Sequence, residues 1–318
     1  MTTACSNGPD PAPEAAARRE IRPPVVAVVT PFTGNRVDTD AVRRYAEWLW
    51  DRGVRTIMVN GTTGEFFATT ATERLLVLAQ FRRWFPGTVI AHIGACAVEE
   101  VIVQLGDVQP LADYLAVVAP YFYADPPEDG VFEYFRQILT RVEIPTLLYN
   151  FPRHTQTPVT PSILARLAEQ FPLLAGIKDS GTNRETTHAY TRTGLRVLVG
   201  DDSVAAHVTD LGVDGIVTGG GNPIVEVPVG IAAAIREGDT GKAAHLQAIF
   251  DEWSRTKRSS TLPELPYVKT ALGERIPNFP HETRPPLVGA TPSEATDIHR
   301  CVHRTTTRTR ELSKHLSQ

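Results

Sequence analysis

From residue 25 onward the chain repeats one pattern: a short, nearly continuous apolar run, a turn, then a longer amphipathic run. The runs at 25–29 and 56–59 precede amphipathic stretches at 40–50 and 70–84, and those at 89–93 and 114–118 precede stretches at 98–105 and 131–140. Two more runs, 144–148 and 173–177, are each followed by a helical segment, and short runs at 197–199 and 215–217 close the series. Such runs read as strands buried on both faces, and the amphipathic stretches as helices, so the series predicts about eight strand and helix pairs.

Helix starts are legible as well. Thr70 with Glu73, and Thr182 with Glu185, have the spacing of a capping box, and Thr160-Pro161 places an N-cap before a proline at the first helical position. Near-continuous apolar strands separated by helices predict a parallel sheet covered on its outer face, and eight units within roughly 200 residues favour a closed (β/α)8 TIM barrel, an α/β fold. An open doubly wound sheet is the alternative, but no GxGxxG follows the first strand. The expected organisation is a flexible leader at 1–20, a barrel core at 21–223, and the last barrel helix with a C-terminal helical region at 224–302. That region has helical stretches at 228–236, 241–256 and 293–301, and a frayed polar tail is expected at 303–318.

Composition changes this picture little. A chain of 318 residues that is 42% hydrophobic and 21% charged suits one large α/β barrel or two ordinary domains. A formal charge of −4 offers neither nucleic acid nor an anionic membrane a reason to bind, whereas a small metabolite needs only a local site. Cys5, Cys96 and Cys301 lie far apart and outside any CxxC or Cys/His cluster, which argues against a disulfide framework or zinc site and fits a reducing cytoplasm. The Ala- and Pro-rich first twenty residues lack the apolar core of a signal peptide, and no run of about 18 apolar residues offers a membrane span.

In a barrel of this kind the active site is built where strands end and the following loops begin. Two strand ends carry reactive side chains: YNFP at 149–152 and Lys178-Asp179-Ser180. A lysine directly continuing an apolar strand is costly to desolvate as a cation, which favours the neutral amine that attacks carbonyls and makes Lys178 a candidate Schiff-base nucleophile. Its bland alternative is an ammonium that snorkels to the rim or pairs with Asp179. Tyr149 has one too, a core tyrosine with a hydrogen-bonded hydroxyl. On neighbouring strands, however, an amine and a phenol suit imine formation with local proton transfer. Gly61-Thr62-Thr63-Gly64-Glu65 offers backbone amides and two hydroxyls suited to a small carboxylate, unless the threonines only satisfy their own turn. No lysine follows Gly64, so it is not a phosphate loop. Asp201 and Asp202 read as a helix cap, and His92 and His207 as structural.

At this point the residues resemble a family. GTTGE at 61–65, YNFP at 149–152, GIKDSG at 176–181, VGDD at 199–202 and GVDGIVT at 212–218 are similar to the motifs of the dihydrodipicolinate synthase and N-acetylneuraminate lyase superfamily, the pyruvate-type class I aldolases. The likeness runs in order from VVTPF at 28–32 through VIAHIGA at 89–95 to PYVKTALG at 266–273 and RPPL at 284–287. It implies that Lys178 forms the Schiff base, that Tyr149 relays protons, that Thr62 takes part beside it, and that Thr62 and Thr63 hold the substrate carboxylate. Gly61, His154 and Val217 fall at substrate-binding positions. The resemblance further implies a homo-oligomer, a dimer or tetramer, with Tyr121, Phe122 and Tyr123 at the subunit contact. It implies no metal or nucleotide cofactor, because the covalent lysine imine is the electron sink. The partners it implies are a 2-oxo acid and an aldehyde.

Two departures bear on substrate. Where dihydrodipicolinate synthases lend a relay tyrosine across the interface, this chain has Phe122, which cannot pass a proton. Five residues after Tyr149, where those synthases carry an arginine for the carboxylate of aspartate semialdehyde, it has His154, and imidazole does not reproduce a bidentate guanidinium. The expected function is a Schiff-base lyase, aldolase or dehydratase, for a 2-keto-3-deoxy or 4-hydroxy-2-oxo acid. The alternatives are 4-hydroxy-tetrahydrodipicolinate synthase and a non-catalytic protein that binds an oxo acid.

Overall fold

The computed structural model describes residues 19–315. Eight parallel strands close into a barrel: β1 Val25–Ala27, β2 Thr56–Val59, β3 Thr88–Ile93, β4 Tyr114–Val118, β5 Thr146–Asn150, β6 Leu174–Asp179, β7 Arg196–Val199 and β8 Gly215–Thr218. Each pairs with its neighbours in chain order, and β1 meets β8 through Val25 opposite Val217. The intervening helices include α1 Thr39–Asp51, α2 Ala71–Trp84, α3 Val98–Val108, α4 Glu128–Leu139, α5 Pro161–Ala168 and α6 Arg184–Thr191. A short hairpin, Phe32–Thr33 with Arg36–Val37, sits in the first loop and has no counterpart in the expected pattern.

Two apolar clusters explain the closure. The larger lies between strands and helices, and a smaller one fills the barrel with Val25, Ala27, Met58, Ile90, Ala116, Leu147, Leu198 and Val217. Strand side chains alternate in direction, so Leu147 pointing inward places Tyr149 inward one layer higher, and Ile90 does the same for His92. The alternate residues face the helices. Asn150 and Asp179 do so as a pair: the Asn150 Nδ2 donates to Asp179 Oδ1 at 2.9 Å, and the Thr187 hydroxyl donates to Asp179 Oδ2 at 2.7 Å.

The register between β5 and β6 is irregular at one point. Thr146 pairs with Leu174 but Leu147 pairs with Gly176, so Ala175 is an extra residue on β6. A bulge of one residue reverses which face the following side chains take. Without it Lys178 would stand opposite Asn150; with it Lys178 stands opposite Tyr149. Gly176 allows the bulge to pass close to β7, since a Cβ there would lie 2.2 Å from the Arg196 carbonyl oxygen.

Most helix starts agree with the sequence. Thr70 and Glu73 form a complete capping box, and the Thr160 hydroxyl accepts from the Ile163 amide. The box expected at Thr182 does not form: Thr182 has φ +59, and Asn183 caps α6 instead by accepting from the Thr186 amide. Beyond β8 come α7 Glu226–Glu237, α8 Thr240–Ser259, α9 Glu264–Gly273 and α10 Pro292–His315. The expected frayed tail at 303–318 is corrected over its described part. Helix α10 continues through His315, Thr305 and Thr309 are buried, and Arg304 and Arg308 both pair with Glu252 of α8. A polar helix can pack in this way because a narrow stripe of small and apolar residues is enough to seat it. Of the expected leader, 1–18 lie outside the described residues, while Arg19 pairs with Asp113 and the Glu20 carbonyl accepts from Thr88.

Candidate active site

The C-terminal ends of the strands surround a cavity of about 570 Å³ whose floor is the top inward layer of the barrel. Ala27, Val118, Tyr149, Lys178 and Val217 line it from strands, Thr62, Thr63, Phe66 and His154 from short helical turns in the segments that follow β2 and β5, and Glu264 from the start of α9. Lys178 is buried, and its Nζ lies over the face of the Tyr149 ring, 3.6 Å from the centroid. The Tyr149 hydroxyl reaches past the amine to the Thr62 hydroxyl at 3.2 Å. Phenol, amine and threonine hydroxyl therefore form one chain, in which the phenol bonds to Thr62 and the amine rests on the ring. Phe151 stacks beside Tyr149 with ring centroids 5.8 Å apart, and His92 meets it edge-on at 5.7 Å.

His92 is closer to the chemistry than its apolar strand suggests. It is buried directly behind Tyr149, and burial followed by the charge of Lys178 lowers its pKa to about 3, so the ring is neutral at ordinary pH. It is packed between Phe66, 4.6 Å away, and Tyr149.

The Thr62-Thr63 turn is a short 3-10 segment, Thr62–Gly64, bracketed by two non-glycine residues in the left-handed region, Asn60 at φ +61 and Glu65 at φ +57. Strain of this kind persists only where surrounding bonds hold it. Asn60 donates to the Arg74 carbonyl at 2.8 Å, and the Thr30 hydroxyl donates to the Gly64 carbonyl at 2.7 Å. Gly61 precedes the turn and accepts from the Gly64 amide at 3.0 Å, but does not itself line the cavity. Its carbonyl helps close the bend that places Thr62 and Thr63. Thr63 leans on Gly219, where a Cβ would lie 2.4 Å from its hydroxyl oxygen.

His154 sits on the one-turn helix Pro152–Thr155, its ring edge-on to Phe151 at 4.3 Å. Burial first, then Arg153 and Lys178, push its pKa below the ordinary histidine value. The aromatic segment divides. Tyr121 turns into the cavity, whereas Phe122, at φ +89 and 85% exposed, and Tyr123, 75% exposed, point away from it and meet edge-on at 5.5 Å. The three side chains do not alternate as they would along a strand, because the chain bends here instead of continuing β4.

Sequence reading missed the contribution of the C-terminal region. Pro263, Glu264, Leu265 and Leu287 close one side of the cavity. The Glu264 carboxylate is held at 2.5 Å by Lys257, whose ammonium occupies the space above Gly220, where a Cβ would lie 2.0 Å from it. Asp202 adjoins this group, its pKa pushed up to about 6 by burial against the opposing pull of Lys257. Its neighbour Asp201 caps the following turn as expected, accepting from the Ser203 amide at 2.9 Å. The isolated acid in Pro263-Glu264-Leu265-Pro266 was the available signal, but strand periodicity gives no weight to residues so far beyond the last strand. Ser180, two residues past Lys178, also lines the cavity. Among the described residues, no group of three or more His, Cys, Asp or Glu is placed to hold a metal, and no helix is long and apolar enough to cross a membrane.

Comparison with known proteins places the chain in a family. The model of the dihydrodipicolinate synthetase family matches residues 21–305. The 4-hydroxy-tetrahydrodipicolinate synthase 1 of Streptomyces coelicolor is 31% identical over 252 residues, 78% of this chain and 82% of that protein. The crystal structure of dihydrodipicolinate synthase from Aquifex aeolicus is 26% identical with a TM-score of 0.81, over 89% of this chain and 97% of that one. The sialic acid aldolase of Ruminococcus gnavus shares the fold at a TM-score of 0.83 and 16% identity, over 90% and 98% of the two chains.

Proposed function

The chain belongs to the dihydrodipicolinate synthetase family, a family of lyases, and on that premise we propose that Lys178 forms a Schiff base with a 2-oxo acid. The observation that carries this reading is the register of Tyr149 with Lys178 beneath a cavity into which Thr62 also points. The lysine amine attacks the C2 carbonyl and water leaves, giving an imine. Once protonated, the imine withdraws electrons, so the C3–C4 bond of a 4-hydroxy acid can break as the C4 hydroxyl gives up its proton. The bonding pair passes to the imine nitrogen as an enamine, an aldehyde departs, and protonation at C3 followed by hydrolysis releases pyruvate. In reverse the same enamine adds to an aldehyde. The Tyr149 phenol, bonded to Thr62, moves the protons at the nitrogen and the departing oxygen, and the carboxylate rests on the Thr62 and Thr63 hydroxyls.

For the far end of the substrate we propose neutral, hydroxylated chemistry: a 2-keto-3-deoxy or 4-hydroxy-2-oxo acid. Among the described residues lining the cavity, Lys178 is the sole lysine or arginine, and it is committed to the imine at the C2 end of the substrate, away from the far end. A second carboxylate, as in aspartate semialdehyde, would meet neutral imidazole and the Glu264 carboxylate. Hydroxyls would find acceptors and donors in Ser180, His154 and Glu264. The relatives called 4-hydroxy-tetrahydrodipicolinate synthase stand at about 30% identity, too distant to carry their substrate to this chain.

Borohydride trapping with pyruvate, a 2-keto-3-deoxy sugar acid and a sialic acid, followed by peptide mass spectrometry, tests both parts. The expected result is an adduct on Lys178, with turnover of a hydroxylated acid. Efficient condensation of pyruvate with aspartate semialdehyde would overturn the substrate reading in favour of the synthase. An adduct without turnover of any acid would favour a binding protein.

A further inference from the structure

Beneath the Thr62-Thr63 turn lies a buried ion pair that neither the barrel nor the imine chemistry requires. Glu65 and Lys269 have fully buried side chains and pair directly. Burying two charges is expensive, and a well-packed apolar pair is often as stable, so the pair is a candidate for a positional role. Its connections indicate which one. The second Glu65 oxygen accepts from the Arg284 amide at 3.0 Å, and Lys269 also donates to the Glu282 carbonyl at 2.8 Å. The Arg284 guanidinium donates to the Ala68 carbonyl at 2.9 Å and, as a fork, to Glu73 at 2.8 and 2.5 Å. Lys269 and Arg284 both lie 4.3 Å from the centroid of the Phe32 ring. Among the described residues, every bond to the Glu65 carboxylate therefore comes from α9 or the segment after it. Glu65 itself is in the left-handed region, and its amide donates to the Thr62 carbonyl at 3.1 Å.

We propose that Glu65 is a positioning residue for the substrate carboxylate, pinned by Lys269 and Arg284 so that the C-terminal region sets the geometry of the Thr62-Thr63 turn. The proposal rests on the reading that these threonines receive the carboxylate. Released from its partners, Glu65 relaxes toward ordinary backbone angles, and because its amide closes the turn onto Thr62, the two hydroxyls move with it. The imine carbon is held by Lys178 on another strand and stays where it is. The pin therefore acts on carboxylate recognition and not on the amine.

The test compares two ketones that reach Lys178 in the same way: pyruvate, and hydroxyacetone, which lacks the carboxylate. Rates of borohydride trapping are measured for wild type, for Thr63→Val, and for the neutral double variant Glu65→Gln/Lys269→Met, each checked for fold by circular dichroism. A displacement of about 1 Å can cost up to a hundredfold in rate, so the pyruvate to hydroxyacetone ratio of the double variant is expected to fall at least about tenfold. Trapping of hydroxyacetone itself is expected to stay near wild type. A ratio within about twofold of wild type would overturn the proposal, as would an equal loss with both ketones, which marks a purely structural pair. If Thr63→Val also leaves the ratio unchanged, the carboxylate reading fails first; if it lowers the ratio alone, only the role of Glu65 fails. Should the double variant not fold, Glu65→Asp keeps both charges but draws the carboxylate one methylene back from Lys269 and the Arg284 amide, and the same ratio decides.

Discussion

Lys178 and Tyr149 are register partners on adjacent parallel strands, and they are so because β6 carries one extra residue at Ala175. The amine consequently lies on the face of the phenol ring, while the phenol oxygen is free to bond to Thr62. In the proposed mechanism this would separate covalent capture and proton movement onto atoms that do not compete for one position.

Removing either group is expected to separate the tasks. Lys178→Ala should lose borohydride trapping and turnover altogether. Tyr149→Phe should retain a trappable amine but turn over about 10²–10⁴-fold more slowly, the usual range for one general acid or base. Mass spectrometry of trapped protein and steady-state kinetics with the same substrate distinguish the two outcomes.

The bulge can be tested through its glycine. A Cβ at position 176 would press on the Arg196 carbonyl, so Gly176→Ala is expected to lower stability by about 1–3 kcal/mol, the cost of overpacking a tight site. It should also slow trapping at Lys178. Denaturant unfolding together with the trapping rate at saturating pyruvate checks both effects.

His154 offers a gain-of-function test. His154→Arg supplies the fork that a second carboxylate needs, and the kcat/KM for condensation of pyruvate with aspartate semialdehyde should rise while that for a hydroxylated acid falls. The change is expected in KM more than in kcat, since the group binds the substrate away from the reacting bond.

His92 predicts a direction for acid stability. Its folded pKa of about 3 lies below the unfolded value of 6.5, so between these pH values the unfolded chain binds a proton that the folded chain refuses. Stability from this group is complete above pH 6.5 and declines as pH falls toward 3. His92→Phe should shift the acid-unfolding midpoint, followed by fluorescence, to lower pH.

Phe122 and Tyr123 carry the expectation of self-association. Their exposed, edge-to-face rings would be covered in a dimer, and Phe122→Asp is expected to reduce the assembled fraction in light scattering at fixed concentration.

Much of the site was legible because its parts are local. Apolar runs end at Tyr149 and Lys178, and in a parallel barrel a strand end is also a place on the catalytic rim. The turn at Thr62 and Thr63 announces itself by flanking glycines, and the Thr70 and Thr160 caps by their spacing. Less could be read where partners are distant in the chain. Glu65 and Lys269 are separated by about two thirds of the sequence, and no periodicity connects them. Of the final helix, 293–301 reads as helical from the sequence, but 303–318 reads as a frayed tail because its charged residues mask the small stripe that seats it against α8.

The amino-acid sequence by itself determined the barrel, through the alternation of buried runs with amphipathic ones, and it determined which reactive side chains stand at the rim. The tertiary structure decided which of them meet. Side chains alternate along a strand, so one bulged residue is enough to send Lys178 toward Tyr149 or away from it, and only the pairing of β5 with β6 selects between the two. Likewise, only packing of the C-terminal helices onto the rim decides that Glu264 faces the cavity and that Lys269 reaches Glu65. Contacts of that kind depend on closing the whole chain into one object, which no local pattern encodes.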